Sequence, residues 1–142
     1  MKLIFSRRTS FLIEGVLIFI IGGVLYGICE IIFRGFTHPS MIFLGGFCVA
    51  VIYFADKKFR PLSIFLRCFM CGVFITSAEL VFGSVVNIAF KMEVWNYSTL
   101  PFNFLGQICP AFFFVWVILS FPLLIFCPVL EKWFIRCSKR KC

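Results

Sequence analysis

The sequence is poor in charge, poorer still in acid, and almost without histidine. Asp, Glu, Lys and Arg make up 14% of its 142 residues, six residues are acidic, and one is His. Soluble domains carry about 25% charged residues, so a surface of ordinary polarity facing water is excluded. A metal centre would want several His, Cys or carboxylate ligands. Glu30, His38 and Glu79 could supply three, but no tight spacing groups them, and neither a metal nor any other cofactor is expected. No Gly-rich phosphate loop, nucleophile elbow or zinc-protease motif occurs. No fourfold internal repeat is visible.

Apolar surface is what the chain has in excess. Hydrophobic residues make up 62% of it, 22 of them Phe. A water-soluble core in so short a chain could not hide that much. The composition therefore reads as one integral membrane domain, residues 1–142. The net charge is +8, but the basic residues flank apolar runs, where they set topology and meet anionic head groups. No nucleic-acid partner is implied; the partner is the lipid bilayer. Eight cysteines would mean a disulfide scaffold in a secreted, loop-rich chain. Here Cys29, Cys48, Cys109 and Cys127 fall in or beside apolar runs and read as small hydrophobes. Cys68-Phe69-Met70-Cys71 has redox-motif spacing, but the topology puts it near the cytoplasmic end of a span, where thiols stay reduced.

Four spans follow, at about 11–33, 39–55, 62–86 and 102–129, each near or above the length that crosses about 30 Å of hydrocarbon. The opening MKLIFSRRTS resembles a signal peptide, but the apolar run after it is too long, contains Glu14 and lacks a cleavage site. It reads as an uncleaved first span. Gly35 is placed to end the first helix. Thr37 or His38 caps the second, with Pro39 in its first turn. Stretch 56–61 reads as a tight basic turn, and Arg67 as a snorkelling residue. Pro110, Pro122 and Pro128 are expected to bend or end the fourth span. Residues 131–142 form a basic, amphipathic tail.

Twelve of the 14 basic residues lie on one side: Lys2, Arg7, Arg8, Lys57, Lys58, Arg60, Arg67, Lys132, Arg136, Lys139, Arg140 and Lys141. Arg34 and Lys91 lie on the other. The positive-inside rule then puts both termini in the cytoplasm. The expected fold is all-α, a polytopic helical bundle of four transmembrane helices in the cell membrane.

Polar residues recur in the outer third of this topology. Glu30, Arg34, Thr37 and His38 lie around the first outer connection, Glu79 and Asn87 on the third span. Trp95, Tyr97, Asn103 and Gln107 lie in the second outer loop and the start of the fourth span. Polar groups in lipid are costly, and such a set is expected to bind a small solute or a head group. Glu30 and Arg34 are an i, i+4 pair. Glu79 has no partner nearby in sequence; a tyrosine, the amides of Asn103 or Gln107, or the outer loop could donate to it. Trp95 and Tyr97 suit the membrane interface. Gly23, Gly27, Gly45 and Gly46 form small faces that let helices approach, within the chain or between copies.

The run Glu30, Arg34-Gly35-x-Thr37-His38-x-Ser40-Met41, Gly45-Gly46, then Glu79, Gly83, Asn87, Trp95-x-Tyr97, Asn103-x-x-Gly106-Gln107 and Trp116 resembles the bacterial membrane family called "putative ABC-transporter type IV". The resemblance covers about residues 10–120. Asn96 departs from it, since an acid is expected between Trp95 and Tyr97; if that acid serves an outer site, this chain has less negative charge there. The resemblance implies a permease component. Because the chain has no ATP motif, it also implies a separate ATPase subunit, and a homo-oligomer would help four spans enclose a path. Two other classes fit the residues: a membrane-embedded enzyme acting on lipid, with Glu79 or His38 as acid or base, and a structural or interaction subunit without catalysis.

Overall fold

A computed structural model describes the backbone of residues 2–139 and the side chains of residues 11–137. Lys2, Arg7, Arg8, Lys139, Arg140 and Lys141, on which the expected orientation partly rests, lie outside the described residues or side chains. The described residues form helices joined by non-helical segments, without a strand. Four helices are long and apolar enough to cross a membrane, over Phe11–Arg34, Pro39–Phe59, Ile64–Ala89 and Pro110–Cys137.

Helix α1 (Lys2–Arg34) ends where expected. Gly35 takes φ 77° and its N–H reaches back to the carbonyl of Ile31 at 2.9 Å, the left-handed C-terminal cap that glycine adopts without a Cβ penalty. Helix α2 (Pro39–Phe59) starts on Pro39, whose missing N–H costs nothing in the first turn. His38 is the cap. Its Nδ1 accepts from the backbone N–H of Ser40 at 3.3 Å, and its carbonyl accepts from Met41 at 2.9 Å.

Helix α2 runs on to Phe59, so most of stretch 56–61 is helix and not turn. The reason is Asp56. It is buried and accepts from Arg60 at 3.2 Å, one turn on, and from Arg67 of the next helix. The acid holds the basic run in helical register. Pro61, which disfavours helix at the residue before it, sets the stop. Helix α3 (Ile64–Gly83) opens on Ser63, whose hydroxyl accepts from the N–H of Leu66 at 3.4 Å. Its guanidinium bound to Asp56, Arg67 does not snorkel.

The chain then continues as a π-helical turn, Ser84–Ala89. A non-helical segment, 90–109, follows, and helix α4 (Pro110–Lys139) closes the fold. The fourth span thus begins at Pro110 and not near residue 102. Four residues without glycine's freedom, Lys91, Glu93, Phe102 and Leu105, take positive φ in this segment, so its apolar run cannot propagate a helix. Nor do Pro122 and Pro128 end α4, which remains helical through both. Each removes one backbone donor, a loss that helices in lipid tolerate when neighbouring groups satisfy the freed carbonyl.

The chain packs as two compact units. One comprises α1, α2 up to Ala55, and α4 from Ile125 onward; the other is Asp56–Leu124. In the first, α1 and α2 meet through glycines. A Cβ at Gly23 would lie 2.7 Å from the Ile42 carbonyl oxygen, and one at Gly46 would lie 2.5 Å from that of Phe19. Backbone touches backbone there, as small residues allow between membrane helices. Those small faces are used within the chain. Ile18, Met41, Leu44, Cys48, Ile52 and Tyr53 fill the unit's core. In the second unit, Gly72 abuts Val117, and Cys68, Cys71, Val86, Trp95, Cys109 and Trp116 are buried.

Candidate functional site

The polar residues singled out by the sequence sort into three groups. The first is built on Glu30, in the last turns of α1 and 6% exposed. One carboxylate oxygen accepts from Arg34 Nη1 at 2.8 Å and from the Tyr26 hydroxyl at 3.4 Å. The other accepts from the Thr37 hydroxyl at 2.9 Å. Tyr26, Glu30 and Arg34 follow each other at the i, i+4 spacing that stacks side chains on one helical face. Thr37 is folded back onto that face by the turn at Gly35. The ring of Tyr26 lies where Gly45 leaves room; a Cβ there would meet it at 2.5 Å. Arg34 is 29% exposed and its guanidinium also lies 4.7 Å from the centroid of Phe36. His38 does not share this carboxylate. Its Nδ1 is 2.7 Å from the Ser40 hydroxyl and serves the start of α2.

The second group is Glu79 with Trp116. Glu79, in the last turns of apolar helix α3, is 2% exposed, and its Oε2 accepts from the indole N–H of Trp116 on α4 at 2.7 Å. An indole 37 positions further along the chain, singled out in the sequence only by the family resemblance, supplies this bond. Its ring is 6.1 Å from Phe112, which stacks on Tyr97 at 4.4 Å.

The third group folds the segment between α3 and α4. Asn87, in the π-helical turn, donates to the Trp95 carbonyl at 3.0 Å and to Gln107 Oε1 at 2.8 Å, and accepts from the Val94 N–H at 2.8 Å. Trp95 donates its indole N–H to the Gln107 carbonyl at 3.1 Å. Gln107 donates in turn to the Leu105 carbonyl at 3.1 Å. Gly83 is what lets this knot sit against α3, since a Cβ there would collide with Gln107 Oε1 and the Trp95 ring. Asn103 donates to the carbonyls of Ser98 (3.2 Å) and Leu100 (2.8 Å), and accepts from the Gly106 N–H at 3.2 Å. Asn103 and Gln107 do not share a helical face; they belong to this segment.

The structure therefore joins Glu30, Arg34 and Thr37 on one carboxylate, and joins Asn87, Trp95 and Gln107 in one hydrogen-bonded knot. Two polar groups escaped the sequence reading. Asp56, with Arg60 and Arg67, was hidden in a run that reads as basic. Glu14, expected at the head groups, accepts from the hydroxyl of the buried Tyr53; nothing in the spacing links residues 39 apart. Among the described residues, no three His, Cys, Asp or Glu side chains gather as a metal would require. Cys68 and Cys71 are free thiols.

A family model described as "Putative ABC-transporter type IV" matches residues 9–141, nearly the whole chain. No curated protein and no solved structure matches it.

Proposed function

The chain belongs to the family described as "Putative ABC-transporter type IV", and from that premise we propose that it is a permease component that binds or moves a small polar or amphipathic solute. The observation that carries this reading is a pair of carboxylates, Glu30 and Glu79, nearly buried in helices apolar enough to cross a bilayer. Acids at such depth are expensive and are kept where they pair or handle a solute. At Glu30 the more exposed partner is Arg34. An acidic or phosphate-bearing group on the solute would meet that guanidinium first, with Thr37 and Tyr26 holding the carboxylate behind it. Thr37 closes the Glu30 carboxylate on one side, and His38 starts the next helix beside it. With no ATP motif in the chain, hydrolysis falls to a separate subunit, and a homo-oligomer would complete the path.

One observation favours a second reading, a structural or interaction subunit. The amide groups of Asn87 and Gln107 are engaged by their own segment, which leaves them little to offer a solute.

A single experiment separates the two. Purified protein is heated with amino acids, polyamines, quaternary amines and lysophospholipids, and its melting temperature is followed. At least one class should raise it, and Glu30→Gln and Glu79→Gln should abolish that rise while each variant still melts cooperatively. An equal rise in both variants would sink the proposed site. No rise with any class, and no ATP-hydrolysing subunit copurifying from native membranes, would favour the structural reading.

A further inference from the structure

We propose that segment 90–109 is a foot seated in the membrane, with Phe102, Phe104 and Leu105 inserted among the lipids of the leaflet where α3 ends and α4 begins. The inference stands apart from the transport reading and rests on three observations. The first is depth. The segment joins two spans, Ile64–Ala89 and Pro110–Cys137, so it starts and finishes at the hydrocarbon boundary.

The second is which side chains it shows. Trp95 and Tyr97, the residues expected to mark the interface, are turned inward, Trp95 buried on the Gln107 carbonyl and Tyr97 stacked on Phe112. In their place Phe102 is 88% exposed, Leu105 60% and Phe104 56%. Phe102 and Leu105 hold φ of 56° and 53°, conformations that cost roughly 1–2 kcal/mol each in residues with a Cβ and persist only when the surroundings impose them.

The third is the backbone. Non-helical backbone at membrane depth survives only if its polar groups are satisfied. Here they turn inward on the segment itself. Tyr97 N–H reaches the Gly106 carbonyl at 2.7 Å, Phe104 N–H reaches that of Ile108 at 2.9 Å, and Gln107 N–H reaches that of Phe104 at 3.0 Å. Asn87, Asn96, Asn103, Gln107 and the Trp95 indole take up further N–H and carbonyl groups. A loop facing water needs no such closure, and seldom leaves three large apolar side chains of one short stretch more than half exposed. The flanking helices show apolar side chains too, with Ile88 48% and Phe114 62% exposed. Apolar exposure on the segment and on the two spans it joins points to lipid as the occupant. The exposed Lys91 and Glu93, at the segment's start, suit the head-group layer.

The test places the photoreactive residue p-benzoylphenylalanine at Phe104, in full-length protein reconstituted into phosphatidylcholine vesicles, with the same residue at Glu93 as the head-group reference. Irradiation should join acyl chains to position 104 several-fold more than to position 93, read as lipid-sized mass adducts. A tryptophan emission spectrum and a cooperative melt like those of the unlabelled protein check that the variant is folded, and Leu105 serves as the second labelled position if the Phe104 variant fails that check. Equal lipid labelling at 104 and 93, or crosslinks from 104 chiefly to a second copy of the chain, would overturn the proposal.

Discussion

Asp56 shows how one residue can reverse the meaning of its neighbours. Residues 56–61 contain three of the basic groups from which the orientation is expected, and by composition alone the stretch is a tight basic turn. Its single acid is instead buried between Arg60 and Arg67. Arg67 is only 11% exposed, whereas Arg60 is 39% exposed. Removing one partner of a buried ion pair strands the other, at a cost of about 3–5 kcal/mol. Asp56→Ala should therefore lower unfolding stability in micelles by roughly that amount, while Arg60→Ala should cost under about 1 kcal/mol because water screens it. Comparable losses in the two variants would show that Asp56 is not the centre of this turn. Asn96 carries the opposite lesson. The family resemblance leads one to expect an acid there, yet the Asn96 side-chain oxygen accepts from the Ser98 N–H at 2.8 Å, a turn bond that an Asp carboxylate makes equally well. The departure changes charge and leaves the fold of the segment alone.

Among the elements, the α1–α2 pair depends most on residue size. Gly46 faces the Phe19 carbonyl at backbone contact, whereas a Cβ at Gly15 would meet Phe54 at an ordinary 3.5 Å. Gly46→Ala should destabilise by about 1–3 kcal/mol, the range for overpacking a filled interface. Gly15→Ala should be neutral or stabilise by up to about 1 kcal/mol through helix propensity. Paired unfolding curves of the two variants check this; equal effects would mean that α1 and α2 do not meet as described. The spacing of Gly23, Gly27, Gly45 and Gly46 revealed that close helix contact was wanted, but not whether the contact lay within one chain or between two. Likewise, the apolar composition of residues 102–109 matches that of a span. Only the backbone, with positive φ at Phe102 and Leu105, separates segment from helix.

For the molecule as a whole, the charge distribution carries a prediction of sidedness. Lys58 and Lys91 are both exposed and lie at opposite ends of α3. With both termini cytoplasmic, an impermeant amine reagent applied to intact cells should modify Lys91 and spare Lys58, as read by peptide mass mapping. Modification of Lys58 would invert the orientation and move the Glu30 and Trp95–Gln107 regions to the inner face. The number of spans, the C-terminal end of α1 and the start of α2 were all legible in the sequence, and so was the Glu30–Arg34 pair. Each depends on residues within a turn or two of one another: hydropathy summed along a helix, a glycine free to take positive φ, a proline at a first turn, an i, i+4 spacing.

Long-range pairing was decided by tertiary structure alone. The indole of Trp116 is brought to Glu79, Arg67 to Asp56, and the Tyr53 hydroxyl to Glu14. Gln107, read as part of a span, becomes the lock of a folded segment. A buried donor must find an acceptor somewhere, but sequence spacing names that acceptor only when both share a helix face. Between helices, the choice falls to whichever side chains the packing brings within about 3 Å.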